Sequence, residues 1–176
     1  MAQMRTLAVA VAALTIALLA PLSGRADHGG KRPHSHRYQV AQKVNRGLDG
    51  TPLQGLGFAF EAAGWKHKLS PFFLVGASGT ESSLGESSCR RNPHNIWGLG
   101  ACGVRWSEPH FPTWKAAIFY YAWFIRDRWP NARTVYELHG YCPECGSYGW
   151  GSATYTWMER LFGDVSPSLA YPRGKP

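Results

Sequence analysis

Between Pro71 and Glu81 lies the segment that restricts the possible folds of this chain most strongly. Its body, Phe72-Phe73-Leu74-Val75-Gly76-Ala77-Ser78-Gly79-Thr80, carries no charge and only apolar or small side chains. A helix that is apolar on every side is buried, with other elements around it. Ser70-Pro71 is a suitable start for it, a hydroxyl at the cap and a proline in the first turn. Glu81 closes it, ahead of Ser82-Ser83-Leu84-Gly85-Glu86-Ser87. A carboxylate at the end of a buried helix is partly withdrawn from water, and desolvation disfavours its ionised form. Such a group suits proton donation near neutral pH. The competing reading is a helix-end acid held by backbone N–H groups.

Around this helix the pattern predicts four more. Thr51-Pro52 has the character of a cap and first turn, and Leu53, Leu56, Phe60 and Ala63 follow at helical spacing until Gly64. Thr113 caps a strong helix with Trp114, Ala117, Ile118, Tyr121, Phe124 and Ile125 on one broad apolar face, stopped at Pro130. A shorter helix is predicted from Asn131 to His139, and a last one from Ser152 to Phe162, ended by Gly163. Cys89 to Pro112 shows no sustained period and reads as loops or short strands. The expectation is a mostly α fold over residues 51–163, with a small irregular or β lobe after the Glu81 helix. Asp27 to Gly50 is polar and basic and reads as a flexible basic linker, residues 27–50. Its His28, His34 and His36 read as solvated, not as metal ligands, and no cofactor is implied. The Pro-rich residues 164–176 read as a flexible tail.

The N-terminus has a different character. Arg5 precedes an apolar run of 14 residues, Leu7 to Ala20, followed by Pro21 and the small residues Gly24 and Ala26. This is the layout of a secretory signal peptide over residues 1–26, and the run is short for a membrane span. A single N-terminal anchor is the alternative; no other segment is apolar for long enough to cross a bilayer. The full chain has 19 Lys and Arg against 11 Asp and Glu, and losing Arg5 and Arg25 leaves about +6. That balance favours anionic wall polymers or head groups. Nucleic acid is disfavoured by export and by the scatter of the basic residues, which form no recognition face.

Four cysteines, all beyond the signal segment, fit an oxidising compartment. Three pairings are possible, and the spacing favours Cys89–Cys102 and Cys142–Cys145. In the chain-entropy model these loops are worth roughly 3 and roughly 2 kcal/mol. A redox role for Cys142-Pro143-Glu144-Cys145 lacks the βαβ setting such motifs occupy. A four-cysteine zinc site normally brings two close pairs, and the sequence has one.

A helix ending in Glu-Ser-x-x-Gly, then Asn95-Ile96-Trp97-Gly98-Leu99, resembles the glucosaminidase branch of the lysozyme-like superfamily, the peptidoglycan-cleaving autolysin type. Phe111-Pro112-Thr113-Trp114-Lys115-Ala116-Ala117-Ile118 is similar to that family's F-x-S/T-W-x-x-A-I helix start. Tyr141 stands where the family has the tyrosine of Y-A-T-D-P. The resemblance spans roughly Thr51 to Gly163. Two departures stand out: Trp97 replaces the usual Phe, and Cys142-Pro143-Glu144-Cys145 replaces the Thr-Asp stretch after the tyrosine.

The resemblance implies a lysozyme-like domain that cleaves β-1,4 glycosidic bonds of peptidoglycan, most closely as an endo-β-N-acetylglucosaminidase. Glu81 is then the general acid at the leaving oxygen of an oxocarbenium-like transition state. Tyr141 lies beside the cleaved bond. Glu108 is the candidate second carboxylate, and without one the substrate's own acetamido group can assist. Asn95, Trp97 and Ser82 are candidate substrate-binding residues: Asn95 through its amide, Trp97 by stacking on a sugar face. Each has a structural alternative, in turn formation or core packing. A lytic transglycosylase or a muramidase is the nearest rival function, since one fold serves all three reactions. A non-catalytic wall-binding module is the rival from another class.

Overall fold

The computed structural model describes residues 35–88, 90–100 and 109–174, and among them the chain is mostly α-helical. The described residues form five helices: α1 His36–Gly47, α2 Gly57–His67, α3 Pro71–Ser82, α4 Trp114–Arg128 and α5 Gly146–Phe162. Two 3-10 turns, Val135–Glu137 and Pro143–Cys145, link α4 to α5. No described helix is long and apolar enough to cross a membrane.

α3 is the axis of the fold. The Ser70 hydroxyl accepts the Phe73 N–H and Pro71 opens the first turn, as the sequence implies. Phe73, Leu74, Val75 and Ala77 are wholly buried, because the other helices enclose α3. Its most extensive neighbour is α5. Gly76 and Gly79 allow that approach. A Cβ on Gly76 would lie 2.5 Å from Met158 Cγ and 2.8 Å from the Thr154 carbonyl oxygen, and one on Gly79 would lie 2.5 Å from the Trp157 ring.

α4 begins at its expected cap, Thr113, whose hydroxyl accepts the Ala116 N–H. It buries Ala117, Ile118, Tyr121, Ala122 and Ile125. α5 is longer than expected at its N-terminal end, starting at Gly146, and stops at Gly163 as its pattern implies.

Several boundaries differ from expectation. Residues 27–50, read as a linker, contain α1, and Val40, Ala41, Val44 and Leu48 are buried. Those positions recur at helical spacing, and burying them ties an otherwise polar segment to the core. The folded part therefore begins well before Thr51. Thr51-Pro52 forms a turn rather than a helix start. The Thr51 hydroxyl donates to the Leu48 carbonyl at 2.7 Å and accepts the Leu53 N–H at 3.2 Å, so the chain turns there. α2 starts at Gly57, where Asn45 Oδ1 accepts the Gly57 N–H at 2.7 Å.

The segment 131–139 is only a 3-10 turn. Its backbone is committed elsewhere: the Val135 N–H donates to the Pro167 carbonyl and the Arg133 carbonyl accepts the Leu169 N–H. The Glu137 carboxylate accepts the Arg133 N–H and the Thr134 hydroxyl, and these bonds hold its pKa below the ordinary carboxylate value.

Residues 164–174 are not a loose tail. Leu169 is 1% exposed, and isolated antiparallel bridges join Leu69 to Ala170 and Thr134 to Ser168. The Ser70 N–H donates to the Leu169 carbonyl at 2.7 Å, so this segment also satisfies an open donor beside the start of α3. Further on, the Tyr171 hydroxyl donates to Glu61 Oε1 at 2.9 Å. Glu61, 5% exposed on α2, also receives Arg37 Nε and Nη2 of α1. His36, once grouped with the linker histidines, has its Nε2 2.8 Å from the Pro172 carbonyl. A buried carboxylate needs such partners to stay charged at small cost.

Candidate active site

The Glu-Ser-Ser-Leu-Gly stretch is a helix stop. Ser83 and Leu84 adopt left-handed backbone at φ 51° and 61°, followed by Gly85 at φ 96°. The Ser83 and Leu84 N–H groups return to the Gly79 and Ser78 carbonyls, which closes α3. Ser82 is 4% exposed; its hydroxyl donates to the Ser78 carbonyl and accepts the Gly85 N–H. Ser82 thus shapes the stop, and its hydroxyl is engaged within it as donor and acceptor. The stop leaves Glu81 in the last turn, half-buried, facing a cleft.

That cleft encloses about 380 Å³. One wall is the loop Trp97 to Gly100, a second is Tyr141 and Cys142, and a third is the end of α4 with Phe124, Arg128 and Trp129. Glu81 is the only carboxylate among its described lining residues. Of the other candidates, Glu108 lies outside the described residues, as do Cys89 and Cys102 with their expected bond. Cys142 and Cys145 are disulfide-bonded, which closes the turn directly after Tyr141.

The irregular lobe after α3 has no strand among its described residues. It is held by two asparagines. Asn92 Nδ2 donates to the Pro109 carbonyl at 2.8 Å. Asn95, 3% exposed, donates from Nδ2 to the Leu99 carbonyl and accepts the Leu99 N–H on Oδ1. Both ends of the Asn95 amide are thereby used within its own loop, where it acts as a turn-former. The turn sends Trp97 inward. Trp97 is 2% exposed, donates Nε1 to the Leu74 carbonyl, and stacks on Tyr121 at 4.2 Å with an interplanar angle of 3°. One edge reaches the cleft, but its face is taken by Tyr121, so the expected stacking platform for a sugar is not available there. The same turn lays Gly98 across Glu81. At φ 62° this position suits glycine, and a Cβ there would sit 3.9 Å from Glu81 Oε2.

Trp150 of α5 is the site residue that sequence reasoning missed. Its Nε1 donates to Glu81 Oε1 at 2.5 Å, and its ring lies 4.2 Å from that of Tyr141. No local pattern marks it, because the contact spans 69 residues of sequence. Behind it a smaller cavity of about 160 Å³ shares Gly140 and Cys142 with the cleft.

Two phenols lie beside the acid. The hydroxyls of Tyr121 and Tyr141 are buried, and neither makes a hydrogen bond of proper geometry among the described residues. Burial, reinforced by the charge of Glu81, holds the Tyr141 hydroxyl far above the ordinary tyrosine range. Tyr121 is shifted upward too, by burial first and then by Tyr141 and Glu81. At neutral pH both are proton-bearing donors. The cleft therefore combines one oriented carboxyl group, the phenol of Tyr141 and aromatic walls, with Tyr121 buried behind them, and the described residues contain no cluster of metal-type ligands. A carboxyl group held next to a proton-bearing phenol has the parts that acid–base chemistry requires. No family model and no curated protein matches the chain.

Proposed function

We propose that the protein is a secreted, cell-wall-associated peptidoglycan hydrolase of the lysozyme-like type, an endo-β-N-acetylglucosaminidase in which Glu81 is the general acid. The observation that carries this reading is Glu81 at the end of a buried helix, fixed by Trp150 and flanked by Tyr141 in an aromatic cleft. With Oε1 held by the indole, the carboxyl plane is set and Oε2 lies on the Gly98 side. From there it gives its proton to the bridging oxygen between two amino sugars. The protonated Tyr141 hydroxyl is a donor toward charge developing at the reacting centre. Anionic wall polymers are the natural surroundings for the basic chain.

With Glu108 as the second carboxylate the two acids share the work, and without it the substrate's acetamido group assists. A lytic transglycosylase, in which the substrate's own hydroxyl completes the reaction, is the second reading, because the same fold and acid serve both. The test is mass spectrometry of muropeptides released from purified sacculi. Glu81→Gln should lower release by about 100-fold or more, with co-sedimentation on sacculi unchanged. A reducing N-acetylglucosamine end supports the glucosaminidase, a reducing muramic acid end a muramidase, and a 1,6-anhydro end the transglycosylase. Wild-type protein that sediments with sacculi yet releases nothing identifies a wall-binding module and refutes the enzyme.

A further inference from the structure

Tyr121 is the buried polar group that the proposed reaction leaves without a role. It lies at the centre of α4, wholly buried, with its ring stacked on Trp97 and edge-on to Tyr141 at 6.2 Å and 86°. Tyr141 in turn packs on Trp150, the indole that holds Glu81. If Tyr121 only filled space, phenylalanine would fill it better, since a buried hydroxyl without a partner is destabilising. Phe73 and Phe124, the aromatic neighbours of Tyr121 within α3 and α4, show that this core accepts that side chain. The two unpartnered hydroxyls in this core, those of Tyr121 and Tyr141, belong to contacting rings beside the only acid described in the cleft. Polar groups kept at a cost to stability cluster where function requires them.

We infer that Tyr121 is a positioning residue for the reaction proposed above: its hydroxyl aligns that of Tyr141, which faces the substrate beside Glu81. Catalytic hydrogen bonds are commonly poorly aligned before substrate arrives and tighten in the complex. When substrate draws the Tyr141 O–H outward, the Tyr141 oxygen accepts from Tyr121, and a donor chain of two phenols strengthens the outer bond. No proton is transferred along it. Both phenols remain protonated at neutral pH, as their burial requires. The inference rests on the glycosidase reading of the cleft.

The experiment compares wild type, Tyr121→Phe, Tyr141→Phe and the double variant on solubilised peptidoglycan glycan strands, with thermal melting of each. Tyr121→Phe should raise Tm by about 2–6 °C, because an unsatisfied buried hydroxyl is removed. It should also lower kcat about tenfold with KM unchanged, the mark of an interaction made in the transition state. The double variant should be no slower than Tyr141→Phe alone, because Tyr121 acts through Tyr141. Full activity in Tyr121→Phe overturns the inference and leaves the glycosidase reading standing. Parallel losses of Tm and activity, or additive losses in the double variant, also overturn it by assigning a packing role. A wild type that cleaves nothing removes the glycosidase reading and this inference with it.

Discussion

Gly76→Ala tests the close approach of α3 and α5 that brings Glu81 and Trp150 together. Two effects oppose each other. Alanine in a helix interior is favoured over glycine by about 1 kcal/mol. Against this, the new Cβ would stand 2.5 Å from Met158 Cγ and 2.8 Å from the Thr154 carbonyl oxygen, where carbon contacts prefer about 3.5–4.0 Å. The thioether can swing aside, but the carbonyl belongs to the backbone of α5 and moves only if the helix does. Overpacking of this kind costs roughly 1–3 kcal/mol, so the net effect should be a loss of about 0–2 kcal/mol. Gly149 is the control: it is exposed near the start of α5, and among the described residues its added Cβ would meet Cys145 Cβ alone, at an ordinary 3.8 Å. There the helix preference acts alone, and Gly149→Ala should gain up to about 1 kcal/mol. Urea denaturation read by circular dichroism measures both. Glycan release by Gly76→Ala should fall as well, because a displaced α5 carries the Trp150 indole away from Glu81. Equal stabilisation by the two substitutions would refute the packing argument.

Three tyrosines set a pH limit. Tyr121, Tyr141 and Tyr171 have folded-state pKa values above the unfolded value of 10.0, so their stabilisation is intact below pH 10 and is lost as pH rises beyond it. Each fully buried tyrosine should add about 1.4 kcal/mol of lost stability per pH unit above 10. Melting curves from pH 8 to 11.5 should show a plateau and then a steep fall, made shallower by Tyr121→Phe; a plateau extending past pH 11 contradicts this. Leu169→Ala should cost about 2–4 kcal/mol in urea denaturation, since Leu169 is core rather than tail. A change under about 0.5 kcal/mol would restore the frayed-tail reading.

Local signals of this fold were legible where chemistry and position coincide within a few residues. Ser70-Pro71 and Thr113 announce α3 and α4 because capping depends on neighbours two or three positions away. α1 was hidden for the opposite reason. Its few apolar residues are diluted by Arg37, Gln39, Lys43 and Arg46, and only packing reveals that Val40, Val44 and Leu48 form a stripe. The 131–139 segment misled because helical periodicity says nothing of Leu169 and Pro167, which take its backbone bonds. In the cleft, Glu81 could be read from its own helix, while Trp150 is defined only by a partner far away in sequence. Asn95 and Ser82 look like ligands by residue type, yet the same short polar side chains are what a tight turn uses to bind itself.

The strap formed by residues 165–172 has a consequence for how the chain is made. Glu61 meets Tyr171 across 110 positions and His36 meets Pro172 across 136. Ribosomes deliver the first three helices long before those partners exist, and contacts of such range form only after a large loop has closed. The donor beside the start of α3 therefore waits for Leu169 to emerge from the exit tunnel. Until then the nascent domain lacks these closing contacts and is more vulnerable to proteolysis.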